Sequence, residues 1–160
     1  MPKLTEAEAI RLCRHGAVDL KAPGWDGSYE DLSRVDFYGA DLTRANLSYA
    51  KLNGKFRNAT LCYANLSHTK GASFDDCDLT GANLDGADLS NSQLYGDVKG
   101  ASLRGADLRG CRLAFAKNLT QADLRGAKYS RRHSELPYME ATQWPHGFDP
   151  AKAGAICVDS

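Results

Sequence analysis

Large apolar residues recur every five positions through the middle of the chain. Leu32, Phe37, Leu42, Leu47 and Leu52 open a series that runs on to Leu124 and Tyr129. Two residues before most of them stands a small one, as in Ala40-Asp41-Leu42 and Ala122-Asp123-Leu124. The period fits neither a helix, at about 3.6 residues per turn, nor a strand, at about two. Repetition at a fixed period marks an array of stacked units, none of which buries its apolar residue alone.

Taken in fours, the series predicts a square coil. The groups are Leu32, Phe37, Leu42, Leu47; Leu52, Phe56, Leu61, Leu66; Phe74, Leu79, Leu84, Leu89; Leu94, Val98, Leu103, Leu108; and Leu113, Leu119, Leu124, Tyr129. The slips at Leu52–Phe56, Leu94–Val98 and Leu113–Leu119 then share one corner, and His68-Thr69-Lys70-Gly71 bulges as a loop between two groups. Leu42, Leu61, Leu84, Leu103 and Leu124 are expected to stack in one column. Ala40, Ala59, Ala82, Ala101 and Ala122 form a second, and Ala45, Ala64, Ala87, Ala106 and Ala127 a third. Each five-residue unit makes one side, and Gly, Ser, Asn and Asp turn the corners. About five coils at the strand spacing reach roughly 20–25 Å. The expected outward line on the third side is Thr43, Cys62, Asp85, Arg104 and Arg125, with Arg44 and Tyr63 at its corner and Tyr49, His68 and Arg109 on the fourth.

The units Ala40-Asp41-Leu42-Thr43-Arg44, Ala45-Asn46-Leu47-Ser48-Tyr49, Ala82-Asn83-Leu84-Asp85-Gly86 and Ala106-Asp107-Leu108-Arg109-Gly110 resemble the A-(D/N)-L-x-x signature of the pentapeptide repeat family. The resemblance covers about residues 30–130 and implies an all-β, right-handed quadrilateral β-helix. Departures gather at one corner: Gly54 and Gly96 in the small position, and Lys117 near the last slip. The stretch from Thr142 to Pro150 is similar to tails of bacterial, especially cyanobacterial, members. Three segments follow: 1–29 as a helix and cap, 30–130 as the β-helix, and 131–160 as a capping tail.

Both ends of a solenoid need covering. Thr5-Glu6-Ala7-Glu8 has capping-box form, and Ile10, Cys13, Ala17 and Leu20 make one apolar stripe, so a short amphipathic helix is expected before the first coil. Trp25 is expected over the coil's entrance. At the other end Trp144 and Phe148 are expected to lid Leu113, Leu119, Leu124 and Tyr129, with Asp149-Pro150 starting a short helix through Ala153. An end closed in this way predicts a monomer.

Cysteine and charge narrow the classes. The 5 cysteines show no CxxC spacing, so neither a disulfide framework nor a zinc site is expected. Cys77 and Cys111 fill small inward positions on different sides, Cys62 faces solvent, and Cys13 and Cys157 lie in the end segments. No apolar run reaches a membrane span and no signal-peptide pattern opens the chain, so the expected location is cytoplasmic. Formal charge is zero, from 20 basic and 20 acidic residues. It is uneven along the axis: Asp75, Asp76, Asp78, Asp85, Asp88 and Asp97 form an acidic belt, and Lys99, Arg104, Arg109, Arg112, Lys117, Arg125, Lys128, Arg131 and Arg132 a basic end.

No catalytic chemistry emerges from the motifs. His15, His68, His133 and His146 fall in separate contexts, and H-E-x-x-H, P-loop, G-x-S-x-G and dinucleotide fingerprints are missing from the sequence. The Asp and Asn before each Leu follow the repeat and serve the coil. A filled rod offers flat sides rather than a pocket. The reading is therefore a non-catalytic protein-binding or scaffold module, with no cofactor or metal, whose candidate contacts are Arg44, Tyr49, Tyr63, Asp85, Arg104 and Arg125. Two other readings stand behind it. The family includes double-stranded DNA mimics that protect DNA gyrase, a role that needs a strongly negative rod, which a neutral chain is not. Nucleic-acid binding by Arg104, Arg109, Arg125, Lys128, Arg131 and Arg132 lacks an aromatic stacking platform and has the acidic belt beside it.

Overall fold

The computed structural model describes residues 23–52, 56–131 and 141–158. The expected amino-terminal helix with Cys13 and His15, the small-position Gly54, and Arg132, His133 and Tyr138 lie outside these residues.

The chain coils as its period predicts. From Asp26 to Lys128 every bridge is parallel and joins residues 18 to 21 apart, one circuit of four sides. Each side is extended for so short a stretch that the pairings are mostly isolated bridges. The named strands among the described residues are β1 (Lys128–Tyr129) and β2 (Ile156–Cys157), which pair in parallel. Every large residue of the five-residue series is buried.

One unit shows why the repeat has its composition. In Ala40-Asp41-Leu42-Thr43-Arg44, Leu42 points inward, and its N–H donates to Thr60 O of the next coil at 2.8 Å. The Asp41 carboxylate accepts the Thr43 N–H at 3.1 Å, fixing the turn. Ala45 N–H closes it onto Leu42 O at 2.9 Å, with Arg44 in the left-handed region at φ 59°. The same carboxylate or amide bond recurs at Asn65–Ser67, Asp97–Lys99 and Asp123–Arg125. Asp and Asn before the leucine therefore work as turn acceptors.

The stacking register differs from the expected one after Leu66. Thr69, Lys70, Gly71 and Ala72 do not bulge: they form a complete side without a large residue. Lys70 bridges both Lys51 and Asp88. Thr69 and Ala72 are fully buried, and the Thr69 hydroxyl donates to Leu66 O at 2.8 Å. A rung that lacks its leucine reads as a loop in the sequence, and each later residue moves one side along. The third-side ladder is Asp41, Thr60, Asp78, Asp97 and Lys117, placing Leu42 and Leu61 under Leu79 and Val98. Leu84, Leu103 and Leu124 instead continue Leu47 and Leu66 on the fourth side, whose ladder is Asp26, Asn46, Asn65, Asn83, Ser102 and Asp123. The alanine columns shift likewise: Ala40 and Ala59 lead to Cys77 and Gly96, while Ala45 and Ala64 lead to Ala82 and Ala101. Ala precedes the large residue on several sides, so a uniform alanine column could not distinguish the two registers.

The structure also explains Gly96. A Cβ there would lie within 3.0 Å of the Cys77 carbonyl oxygen on the coil below. At the amino-terminal end Trp25 is buried against Phe37, ring centroids 6.1 Å apart. At the other end β2 lies on β1, and Gln143 bridges Arg112. Trp144 meets Tyr129 edge-on at 5.6 Å and Phe148 stacks on Trp144 at 5.3 Å. The helix expected from Asp149 is a single turn. The Asp149 carboxylate accepts the N–H groups of Ala151 and Lys152, but Gly154 at φ 84° turns the chain away.

Candidate functional site

The register decides which polar residues share a face. The expected third-side line divides: Thr43 and Cys62 lie on the third side, and Asp85, Arg104 and Arg125 on the fourth. Cys62 is half-buried rather than facing solvent, and burial, with Asp78 beside it, pushes its thiol up to about 11. Cys77 and Cys111 are buried in small positions on different sides, with burial raising both thiols to about 12.

The fourth side is a flat strip bounded by two corner columns. At its edge with the third side, backbone bonds align Arg44, Tyr63, Gly81 and Gly100. At its edge with the first they align Tyr29, Tyr49, His68, Gly86, Gly105 and Gly126. Each of these residues has positive φ. Glycine takes that conformation freely, whereas other L-residues incur roughly 1–2 kcal/mol. Tyr29, Tyr49, Tyr63 and His68 thus hold exposed rings at positions where glycine is the easier choice.

The rings are ordered. Tyr29 and Tyr49 stack at 4.8 Å with planes 2° apart, and Tyr49 and His68 at 4.7 Å and 19°. The Tyr63 ring lies over Gly81, with Cε1 at 2.5 Å from where a Cβ would be. Between the two edges runs an amide ladder: Asn46 donates to Asp26, Asn65 to Asn46 and Asn83 to Asn65, at 3.3, 3.2 and 3.4 Å. Further along, Asp85 accepts the Arg104 N–H at 3.0 Å and the Ser102 hydroxyl. Arg125 forks onto Asp123, and Arg104 reaches the same carboxylate at 3.8 Å. The Arg125 bonds hold Asp123 down to about 2. The structure thus brings Arg44, Tyr49, Tyr63, Asp85, Arg104 and Arg125 onto one strip and its corners.

The stack of Tyr29, Tyr49 and His68 was not expected. Its signal is in the sequence, because these residues are spaced by one circuit and Tyr49 and His68 are expected together on the fourth side; Tyr29, one circuit earlier, is the member left out. A cleft of about 590 Å³ also departs from the expected flat sides. It opens beside the leucine-free rung, lined by Phe56, Arg57, Ser73, Asp75 and Gln93 among others. The Ser73 hydroxyl there is engaged with the Gln93 backbone, and no histidine lines the cleft among the described residues. No group of three or more His, Cys, Asp or Glu side chains among the described residues is placed to hold a metal ion.

Comparison with known proteins agrees with this geometry. A family model for pentapeptide repeats matches in 8 copies over residues 31–54, 70–96 and 97–128. The chain belongs to the pentapeptide repeat family. Members form right-handed quadrilateral β-helices. Among solved structures, the chain is similar to HetL of the cyanobacterium Nostoc, a pentapeptide repeat protein involved in heterocyst differentiation regulation. The identity is 22% over 78% of this chain and 65% of HetL, with TM-score 0.53. It therefore spans about two thirds of that relative's length. A pentapeptide repeat protein of the Arabidopsis thaliana thylakoid lumen is 30% identical over 68% of this chain and 71% of its own, with TM-score 0.43. QnrB1, a plasmid-mediated fluoroquinolone resistance protein, is 16% identical over 87% of this chain and 82% of its own, with TM-score 0.35. No curated protein matches the chain. No described helix is long and apolar enough to cross a membrane.

Proposed function

We propose that the chain is a non-catalytic protein-binding module whose working surface is the fourth side with its two corners. The observation that carries this reading is the set of left-handed aromatic residues. Tyr29, Tyr49 and Tyr63 are 74%, 49% and 63% exposed, in backbone conformations that glycine adopts more easily. Local strain at exposed rings suits a surface kept for contact, and Tyr and Arg concentrate binding energy at interfaces. A β-helix suits the task because each residue is fixed by neighbours above and below, so little ordering entropy is lost on docking.

The rest of the reading follows from the same rod. About five coils, closed by Trp25 at one end and by Trp144 with Phe148 at the other, make a cytoplasmic monomer that presents its sides. Trp25 is buried and Trp144 half-buried, and both have a buried indole N–H without an acceptor among the described residues, a cost that their ring packing must outweigh. A photoactivatable amino acid at Ser67 or Arg104 in cells tests the working side, with Arg57 on the second side as control. A defined adduct from the fourth-side positions alone is expected. Equal labelling from Arg57, or no adduct from Ser67 and Arg104, refutes the choice of face.

A further inference from the structure

The first-edge corner changes character at His68. Below it the column consists of rings; above it are Gly86, Gly105 and Gly126. The His68 ring leans over Gly86, with Cε1 and Nδ1 each 2.6 Å from where a Cβ would stand. Above that, a Cβ on Gly105 would meet nothing within 4 Å, and one on Gly126 only the Gly105 backbone, at 3.8 Å. An open groove therefore starts at one face of an exposed imidazole and runs along the corner. The backbone does not demand this change, because the same corner carries tyrosine in left-handed conformation two coils earlier.

The groove's banks are charged. Arg104 and Arg125 stand on the fourth-side bank and share the single carboxylate of Asp123. On the first-side bank Arg109 holds Asp107, and exposed Lys128 lies one coil further along. Around Gly105 and Gly126, four cations thus face two carboxylates. Nearer His68 the sign reverses, with Asp85 and Asp88 on the two banks.

Resting on the protein-binding reading above, we infer that this groove receives an extended acidic peptide whose aromatic side chain stacks on His68. Rungs about 4.8 Å apart put Gly126 roughly 10 Å from Gly86, the span of about three extended residues. An aromatic side chain on the open face of His68 therefore sets an acidic one, two or three residues along, against Arg104 and Arg125. A nucleic-acid strand fits less well. Rings stacked 4.7–4.8 Å apart admit no base between them, leaving one open face at this end, whereas single-strand binders offer several faces. Asp85 and Asp88 would also repel a phosphate line.

The test uses a nonapeptide of alternating glutamate and glycine with a central tryptophan, which presents the same pattern in both directions. Binding to the full chain is followed by NMR and fluorescence. Saturable binding is expected, with an upfield ring-current shift of the His68 imidazole protons that a central alanine does not produce. Gly105→Asn fills the groove with a residue that tolerates left-handed backbone. It should weaken binding at least tenfold with the circular dichroism spectrum unchanged, and Arg104→Glu with Arg125→Glu should do the same. The inference is overturned if the peptide fails to saturate at about millimolar concentration, if Gly105→Asn binds it as well as the parent, or if single-stranded oligothymidylate binds in its place. Peptide failure alongside a persisting Arg104 cross-link removes the groove chemistry alone. Failure of both removes the working face as well.

Discussion

Gly96→Ala isolates the steric requirement of the coil interior. Gly96 is not among the residues with positive φ, so alanine meets no torsional objection there. Its Cβ would press on the Cys77 peptide, within 3.0 Å of the carbonyl oxygen, 3.1 Å from the carbonyl carbon and 3.3 Å from the nitrogen. Backbone cannot swing aside as a side chain does, so the two coils must part. Overpacking of this kind costs about 1–3 kcal/mol. Parting also stretches the bonds from Asp97 N–H to Cys77 O, at 2.8 Å, and from Lys117 N–H to Gly96 O, at 3.0 Å. Weakening them adds about 0.5–1.5 kcal/mol each. A loss of about 3 kcal/mol is expected, which in a chain of this length lowers Tm by roughly 6–12 °C. The matched control is Gly105→Ala, whose Cβ meets open space at φ 65°. It carries the left-handed penalty alone, about 1–2 kcal/mol, less what alanine returns through the unfolded chain. Urea unfolding followed by circular dichroism compares the pair. If Gly96→Ala loses no more stability than Gly105→Ala, the third-side register is wrong.

The remaining predictions concern titratable groups. Burial raises the Cys77 and Cys111 thiols to about 12, so iodoacetamide at about pH 8 should modify exposed Cys157 quickly and these two only as the protein unfolds; tryptic mass spectrometry of a time course would contradict this by showing Cys111 modified at the rate of Cys157. The Arg125 hydrogen bonds hold Asp123 down to about 2, so its stabilisation is present above the ordinary carboxylate range and is lost as pH falls towards about 2. Asp123→Asn keeps a turn acceptor, as Asn46 and Asn65 do natively, so thermal midpoints of parent and variant should differ most near neutral pH and converge in acid; a constant offset at every pH would contradict the assignment.

Much of the fold was legible because the repeat states its geometry many times. One Leu inside, one small residue before it and one Asx turn acceptor recur so often that no single departure obscures the coil. Register was harder, because it depends on counting rungs. Thr69 and Ala72 fill a rung with small residues, and Lys70 keeps its place through backbone bonds alone. Apolar periodicity registers only sides that carry a large side chain. The Gly96 contact shows the opposite case: Cys77 and Gly96 stand one above the other, each explained by the other, but only once the column is known.

The same blindness governs the site. Its residues gain meaning from a vertical neighbour that lies 18 to 21 positions away, and that distance varies from coil to coil. Tyr29, Tyr49 and His68 are separated by one circuit each, so a scan at the coil length rather than the unit length would have aligned them. What such a scan could not supply is the conformation. Asp and Asn turn acceptors make every corner look alike in sequence. Only the backbone shows that four aromatic residues, Tyr29, Tyr49, Tyr63 and His68, occupy left-handed positions on the two edges of one side. Stacking between neighbouring rings returns about 0.5–1.5 kcal/mol per pair, comparable with the conformational penalty at each corner. Two stacked pairs return about 1–3 kcal/mol against about 3–6 kcal/mol for three left-handed residues, so stacking offsets only part of the strain in the Tyr29–Tyr49–His68 column. Tyr63, which leans on Gly81 with no stacked ring among the described residues, carries its penalty without that return.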